Sequence, residues 1–279
     1  MPFPFRYSIC NEIFERTPFH KACQSVRSAG YDGIEIAPFT LSDNPAKISS
    51  AERKQYRALM DSEGLRFVGL HWLMVAPKGL HVTAPDPELR TRSWRHISDL
   101  IDLCADLGDN AVMVFGSPKQ RCATGGSTAA DAAGRMEDGL AEVSGSAMER
   151  GVTLLLEALP RSQCDVINTV DEAVQIVRRI NSPAIRTMFD THNAEDETEP
   201  HAEIIDRYFE FIRHVHVNEM DGRHPGTGSY DFRPVFEVLK QHSYPGWISL
   251  EVFDFSAGAG NIANESLSYL KSVAKQIEQ

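Results

Sequence analysis

Cysteine is scarce in this 279-residue chain: five residues, at positions 10, 23, 104, 122 and 164, with no C-x-x-C pair among them. An odd, dispersed set argues against a disulfide framework or a structural zinc site, and fits reduced thiols in a cytoplasmic protein. Long apolar runs are lacking too. None approaches the roughly 18–20 residues of a membrane helix, so no membrane attachment is expected. The opening stretch, Met1 to Arg6, has no apolar segment leading to a small-residue cleavage site, so no signal peptide is expected. Positive charge is in deficit, with 28 basic against 39 acidic residues and a net charge of −11. That balance opposes broad binding to nucleic acid or anionic membranes, both of which want a basic face. No G-x-G-x-x-G follows the first apolar strand, which removes the main sign of a doubly wound dinucleotide-binding sheet.

What is present is a repeat of pattern. A helix-period segment closes at a glycine or a Pro/Asn turn, a short apolar run follows, and then a polar loop. The apolar runs are Arg6 to Ile9, Ile34 to Ala37, Leu65 to Leu70, Ala111 to Phe115, Val152 to Leu156, Ile185 to Phe189, His214 to Val217 and Trp247 to Leu250. They are apolar without alternation, as strands covered on both faces must be. Glycines 30, 64, 108 and 151 stand where helices should end, the position that favours positive φ. Thr17-Pro18 and Asp86-Pro87 read as helix starts, a capping oxygen before a proline. From Pro87 to Leu107, one stripe carries Trp94, Ile97, Ile101, Cys104 and Ala105. Eight such units, at about 35 residues each, predict a (β/α)8 TIM barrel spanning 1–279 as a single domain.

In that architecture the C-terminal strand ends form the functional face. Four ionisable residues end four consecutive strands, the fifth to the eighth: Glu157, Asp190, His216 and Glu251. Taken singly, each has a plainer explanation as a helix cap or loop residue. Together, three carboxylates at one barrel mouth would repel unless a cation sat between them. Two Glu, one Asp and one imidazole make a hard donor set, suited to one divalent metal ion, with Mn2+ favoured over Zn2+, Mg2+ or Co2+.

These residues carry a resemblance. With the run His214-x-His216-x-x-Glu219-x-Asp221 and the following Pro225-Gly226-Thr227-Gly228, the chain resembles the xylose isomerase-like TIM-barrel superfamily over essentially its whole length, nearest the ketose 3-epimerase branch. The resemblance implies that Glu157, Asp190, His216 and Glu251 bind the metal and that Glu157 and Glu251 are the acid/base pair. It implies isomerisation or epimerisation of a sugar or sugar phosphate through a metal-stabilised enediolate, in a homodimer or homotetramer. The substrate-contacting positions depart from the family pattern. Pro160 precedes Arg161 where the family has Asn. His192 lies two residues after the strand-six Asp rather than three, and Arg223 seven after the strand-seven His rather than six. The same metal set also leaves open dehydration of an inosose-like keto-sugar and, more remotely, an endonuclease IV-like nuclease.

Further candidates surround this set. His71 and Trp72 end strand three and Glu12 follows strand one; each is a candidate substrate contact, with buried packing or capping as the alternative. Lys119, in Ser117-Pro118-Lys119-Gln120-Arg121 after strand four, is a candidate for holding a phosphate or carboxylate, as are Arg161 and Arg223. His192 would orient a substrate oxygen. The glycine loops at 225–228 and 256–260 occupy the place where barrels often bind phosphate.

Overall fold

The computed structural model describes residues 3–278. Eight parallel strands close on themselves in sequence order: β1 (Arg6–Cys10), β2 (Gly33–Ile36), β3 (Arg66–Leu70), β4 (Val112–Phe115), β5 (Thr153–Leu156), β6 (Ile185–Asp190), β7 (Ile212–Val217) and β8 (Trp247–Leu250). The long helices alternate with them: α1 (Phe19–Ala29), α2 (Ser50–Ser62), α3 (Pro87–Leu107), α4 (Ala129–Glu149), α5 (Val170–Ile180), α6 (His201–Tyr208), α7 (Arg233–Gln241) and α8 (Ala259–Gln276). This is the (β/α)8 barrel the repeat predicts, with every expected strand present to within two residues at each end.

The helix starts show which local signals acted. Asp86 caps α3, its carboxylate accepting the Glu88 amide at 3.0 Å. Thr17 does not cap α1, which begins at Phe19 after Pro18 with no side-chain cap. Ser49 and Thr128 instead form complete capping boxes, with Glu52 and Asp131, each box satisfying amides at its helix start. The α3 stripe is buried at Trp94, Ile97, Ile101 and Cys104, while Ala105 is half-buried.

Not all helix-ending glycines act through positive φ. Gly30 takes φ +96° at the end of α1, as expected. Gly108 is extended at φ −175°, and its requirement is space: a Cβ there would lie 2.9 Å from the Phe67 ring. Inside β3, Gly69 is tighter still, its missing Cβ falling 2.2 Å from the Val112 carbonyl oxygen of β4. The β3–β4 pairing therefore depends on a bare backbone at Gly69. Closure of the barrel at this seam carries the mouth that β5 to β8 build on the other side.

Two substitutions separate these effects. Gly69→Ala should lower stability by about 1–3 kcal/mol or more, as overpacking against a backbone atom that cannot move aside. Gly134→Ala, in α4 with open space around it, should raise stability by up to about 1 kcal/mol through helix propensity. Urea denaturation midpoints check both; equal midpoints for the two variants would contradict the packing argument.

Candidate active site

The ends of β5 to β8 deliver their polar residues to one point. Glu157, Asp190, His216 and Glu251 are all buried, and one ligand atom from each lies within 4.8 Å of the others. The parallel register makes this happen: Asp190 pairs with His216 across β6 and β7, and Val217 with Leu250 across β7 and β8. Glu251 follows Leu250 directly, and Glu157 follows Leu156.

Each member is held by its neighbours. Asp190 Oδ1 accepts the backbone amides of His192 at 2.7 Å and Asn193 at 2.9 Å. Its Oδ2 is buried with no hydrogen-bond partner, 3.5 Å from His216 Nδ1. Glu157 Oε1 accepts from Asn193 Nδ2 at 3.0 Å. Its Oε2 lies where a side chain on Gly116 would stand, 2.2 Å from the position of a Cβ. Glu251 Oε1 accepts the Trp72 indole N–H at 2.7 Å, and its Oε2 lies 3.0 Å from His216 Nδ1. Trp72 adopts φ +50° to do this, a backbone conformation that costs a non-glycine residue about 1–3 kcal/mol and collects at functional sites.

His216 faces two ways. Nδ1 points at Glu251 and Asp190, while Nε2 lies 3.1 and 3.2 Å from the two oxygens of Glu35. Glu35 also contacts His214 Nε2 at 2.8 Å. The two imidazoles hold the Glu35 carboxyl well below the usual carboxylate range, against the opposing effect of its burial. A carboxylate behind an imidazole fixes which nitrogen carries the hydrogen, and so frees Nδ1 to face a cation.

The electrostatics point the same way. Burial, then the charges of Glu251 and Asp190, push the Glu157 carboxyl up to about 8. A buried carboxylate cluster of this kind either holds protons or takes up a cation. The orphaned Asp190 Oδ2, the glycine-made space beside Glu157 and the oriented Nδ1 of His216 all fit a divalent ion bound by oxygen and nitrogen donors.

A cavity of about 500 Å3 opens over this cluster. Trp72, Leu159 and Phe253 give it apolar walls, and Glu157 and Glu251 lie at its base; Lys78, Lys119, Gln163 and His192 supply polar groups. His192 donates Nδ1–H to the Met220 carbonyl at 2.7 Å, which leaves its other nitrogen free to accept. Of the expected substrate contacts, Trp72, His192 and Lys119 thus line the cavity. Glu12 and His71 do not: they form a buried 2.8 Å pair with each other, packed behind the site. Arg161 and Arg223 are also turned away. Arg161 is exposed and lies 3.6 Å from Glu172, and Arg223 is half-buried and bound to Asp221 at 2.7 Å. The glycine loop at 225–228 wraps a side chain of this chain: its Gly226 amide donates to Glu219 at 2.9 Å, and a Cβ on Gly228 would meet the same carboxylate at 2.3 Å.

Other contributors are silent in a strand-end reading. Glu35 sits inside β2. Arg121, fully buried, donates to the carbonyls of Phe115, Glu157 and Ile167, tying together the loops after β4 and β5. Asn193 and Lys78 were likewise unmarked, being ordinary loop residues in the sequence.

A closed parallel barrel with a buried carboxylate–imidazole cluster at its C-terminal mouth defines a class of barrels built to hold a polar site at that face. The comparison with known families narrows it: residues 23–273 match the model described as xylose isomerase-like TIM barrel. The chain belongs to that family. Among similar proteins, a ketose 3-epimerase of Arthrobacter globiformis is 26% identical, covering 90% of this chain and 83% of the relative. An L-ribulose 3-epimerase of a Methylomonas species is also 26% identical, over 84% of this chain and 78% of the relative. A solved structure of L-ribulose 3-epimerase superimposes with a TM-score of 0.84 at 20% identity, covering 99% of this chain and 96% of that one.

Two outcomes follow from the geometry. Because Glu157 holds its proton up to about pH 8 in the ion-free protein, divalent-ion binding should release a proton below that pH, and affinity should climb as pH rises toward it. Titration calorimetry of Mn2+ at pH 6.5, in buffers of differing ionisation enthalpy, checks this; buffer-independent heats would contradict it. Gly116→Ala should displace Glu157 Oε2 and weaken Mn2+ binding at least tenfold, with the barrel intact by circular dichroism.

Proposed function

We propose that this protein is a divalent metal-dependent epimerase of a ketose or ketose phosphate, inverting the carbon next to the carbonyl. The observation that carries the reading is the convergence of Glu157, Asp190, His216 and Glu251 on one buried point beneath a cavity of monosaccharide scale. Those four would hold the ion. Bound there, it would supply a Lewis acid that polarises the substrate carbonyl and acidifies the neighbouring C–H. Mn2+ is the favoured ion, and Mg2+, Co2+ and Zn2+ suit the same donors.

The protein's own groups then divide the remaining work. Glu157 and Glu251 come from β-strands separated by two others, so they meet a bound sugar from different sides. One takes the proton from carbon and the other returns it on the opposite face. Trp72 pins Glu251 in a single orientation through its indole N–H, and Asn193 does the same for Glu157. Both restraints keep the carboxylates close to their reacting geometry. His192 accepts from a substrate hydroxyl. The apolar faces of Trp72, Leu159 and Phe253 exclude water and pack against the sugar's C–H surface. Lys119, with Lys78 beside the same cavity, reaches a phosphate or carboxylate at the far end of the substrate. The curated relatives named above, epimerases of ketoses, support this choice of chemistry.

The test is turnover of a panel of free and phosphorylated ketoses in deuterated water, read by mass spectrometry. The metal-loaded enzyme should deliver an epimer carrying one solvent deuteron at the inverted carbon. Glu157→Gln and Glu251→Gln should each cut turnover by about 10²–10⁴-fold, the usual contribution of a positioned acid or base. Undiminished turnover after chelation would overturn the reading. So would an unsaturated ketone product, detected in the ultraviolet, which marks elimination.

A further inference from the structure

The opposite end of the barrel has its own cavity, of about 440 Å3, entered between the N-terminal ends of the strands. Its size falls within the roughly 300–1,000 Å3 of small-molecule sites. Three arginines from three strands line it: Arg6 of β1, Arg66 of β3 and Arg213 of β7. In a chain with net charge −11, such a concentration of one sign is unusual, and these cations are not neutralised locally. Among the described residues, none of the three is in an ion pair within 4.0 Å.

Their engagements leave the charge available. Arg6 lies over the Trp247 ring at 3.9 Å and donates to the Pro245 carbonyl at 3.0 Å. Arg213 donates to the carbonyl of Ile212 at 3.2 Å. Both partners are neutral. The one acidic residue lining the cavity, Asp109, is occupied by Arg57 at 3.3 Å. A fourth arginine, Arg186 of β6, stands next to Arg213, and its buried Nε has no hydrogen-bond partner. Burial and the charge of Arg66 hold the Arg6 guanidinium below its usual pKa, and burial and Arg213 do the same for Arg186, against a smaller opposing effect of Glu210. Gathering like charges is unfavourable unless an anion shares the space. Guanidinium groups are the side chains best matched to tetrahedral oxyanions, through paired N–H donors. Asn110 and Thr153, also in the lining, add neutral polar groups.

We propose that this N-terminal cavity is an oxyanion site, held by Arg6, Arg66 and Arg213, for a phosphate group, either free or on a small metabolite. It is separate from the carboxylate cluster, which faces the other mouth of the barrel. The site does not depend on the epimerase reading above.

The experiment is calorimetric titration of the metal-loaded protein with inorganic phosphate, with sulfate, and with a hexose phosphate. Ionic strength is held constant with sodium chloride. The wild-type chain should bind one equivalent of inorganic phosphate. Arg66→Gln combined with Arg213→Gln should weaken binding at least tenfold; both side chains are exposed, so the fold should be kept, and circular dichroism checks it. The single variants should each show a smaller loss. Lys78→Gln combined with Lys119→Gln, at the catalytic mouth, should leave a phosphate isotherm of the same affinity. Hexose phosphate binding that is tighter than phosphate binding and is lost in the double arginine variant would point to a phosphorylated metabolite as the ligand, and equal affinities, both lost in that variant, to free phosphate; either supports the site, whereas hexose phosphate binding that survives in that variant belongs to the other mouth. Unchanged affinity in the double arginine variant would overturn the proposal, as would a wild-type signal that sodium chloride reproduces, or loss of binding in the lysine variant alone.

Discussion

Three carboxylates and one imidazole are packed, buried, into the mouth of this barrel, and most of the surrounding structure answers the repulsion that results. Like charges at such separations cannot all persist in a low-dielectric setting without a compensating cation or bound protons. The ion-free protein responds with protons: Glu157 keeps one to about pH 8, and His216 is driven well above its ordinary value by Glu35 and Glu251 despite its burial. A divalent ion would do the same job without neutralising the groups chemically, as the proposed proton transfer by two of the carboxylates requires.

The supporting contacts make sense in that light. Trp72, Asn193 and the amides of His192 and Asn193 each take one oxygen of a carboxylate, which leaves Asp190 Oδ2 without a partner, Glu251 Oε2 3.0 Å from His216 Nδ1 and Glu157 Oε2 in the space beside Gly116. Behind His216, Glu35 sets the ring's hydrogen on one nitrogen and is itself balanced by His214. Further along, the Thr191 hydroxyl donates to the Asn218 carbonyl and side chain at 2.7 Å, fixing the loop after β6 against the one after β7. Arg121 fastens the loops after β4 and β5 through three backbone carbonyls. Rigid loops on a closed barrel are what a site needs when its groups must be held to a fraction of an ångström.

Much of this was legible in the amino-acid order, for identifiable reasons. Strands buried on both faces must be continuously apolar, so an ionisable residue at the end of one stands out, as Glu157, Asp190, His216 and Glu251 do. Glu35 was legible in principle: a glutamate within Gly33-Ile34-Glu35-Ile36 is a charge inside a buried strand, which requires a partner. That its partners are His214 and His216, about 180 residues away, only the closed sheet reveals. Arg161 and Arg223 were misleading because their charges are spent locally. Asp221, two residues before Arg223, was the visible warning. The glycine loop after β7 has the look of an anion cradle, and it is one, but its anion is Glu219 of the same chain. Gly108 does end α3, but with an extended φ rather than a positive one, and what it provides is room for Phe67, a distinction that local sequence does not hold.

The barrel also separates its charges, with acids gathered at the C-terminal mouth and unpaired arginines at the opposite one. The catalytic end bears the weight of the functional account, and a crystal grown with Mn2+ and measured at a wavelength where manganese scatters anomalously tests it most directly. The account predicts a single strong anomalous peak about 2.0–2.6 Å from a carboxylate oxygen of Glu157, Asp190 and Glu251 and from Nδ1 of His216. Those four side chains turned apart, with the space between them filled by solvent alone, would contradict it.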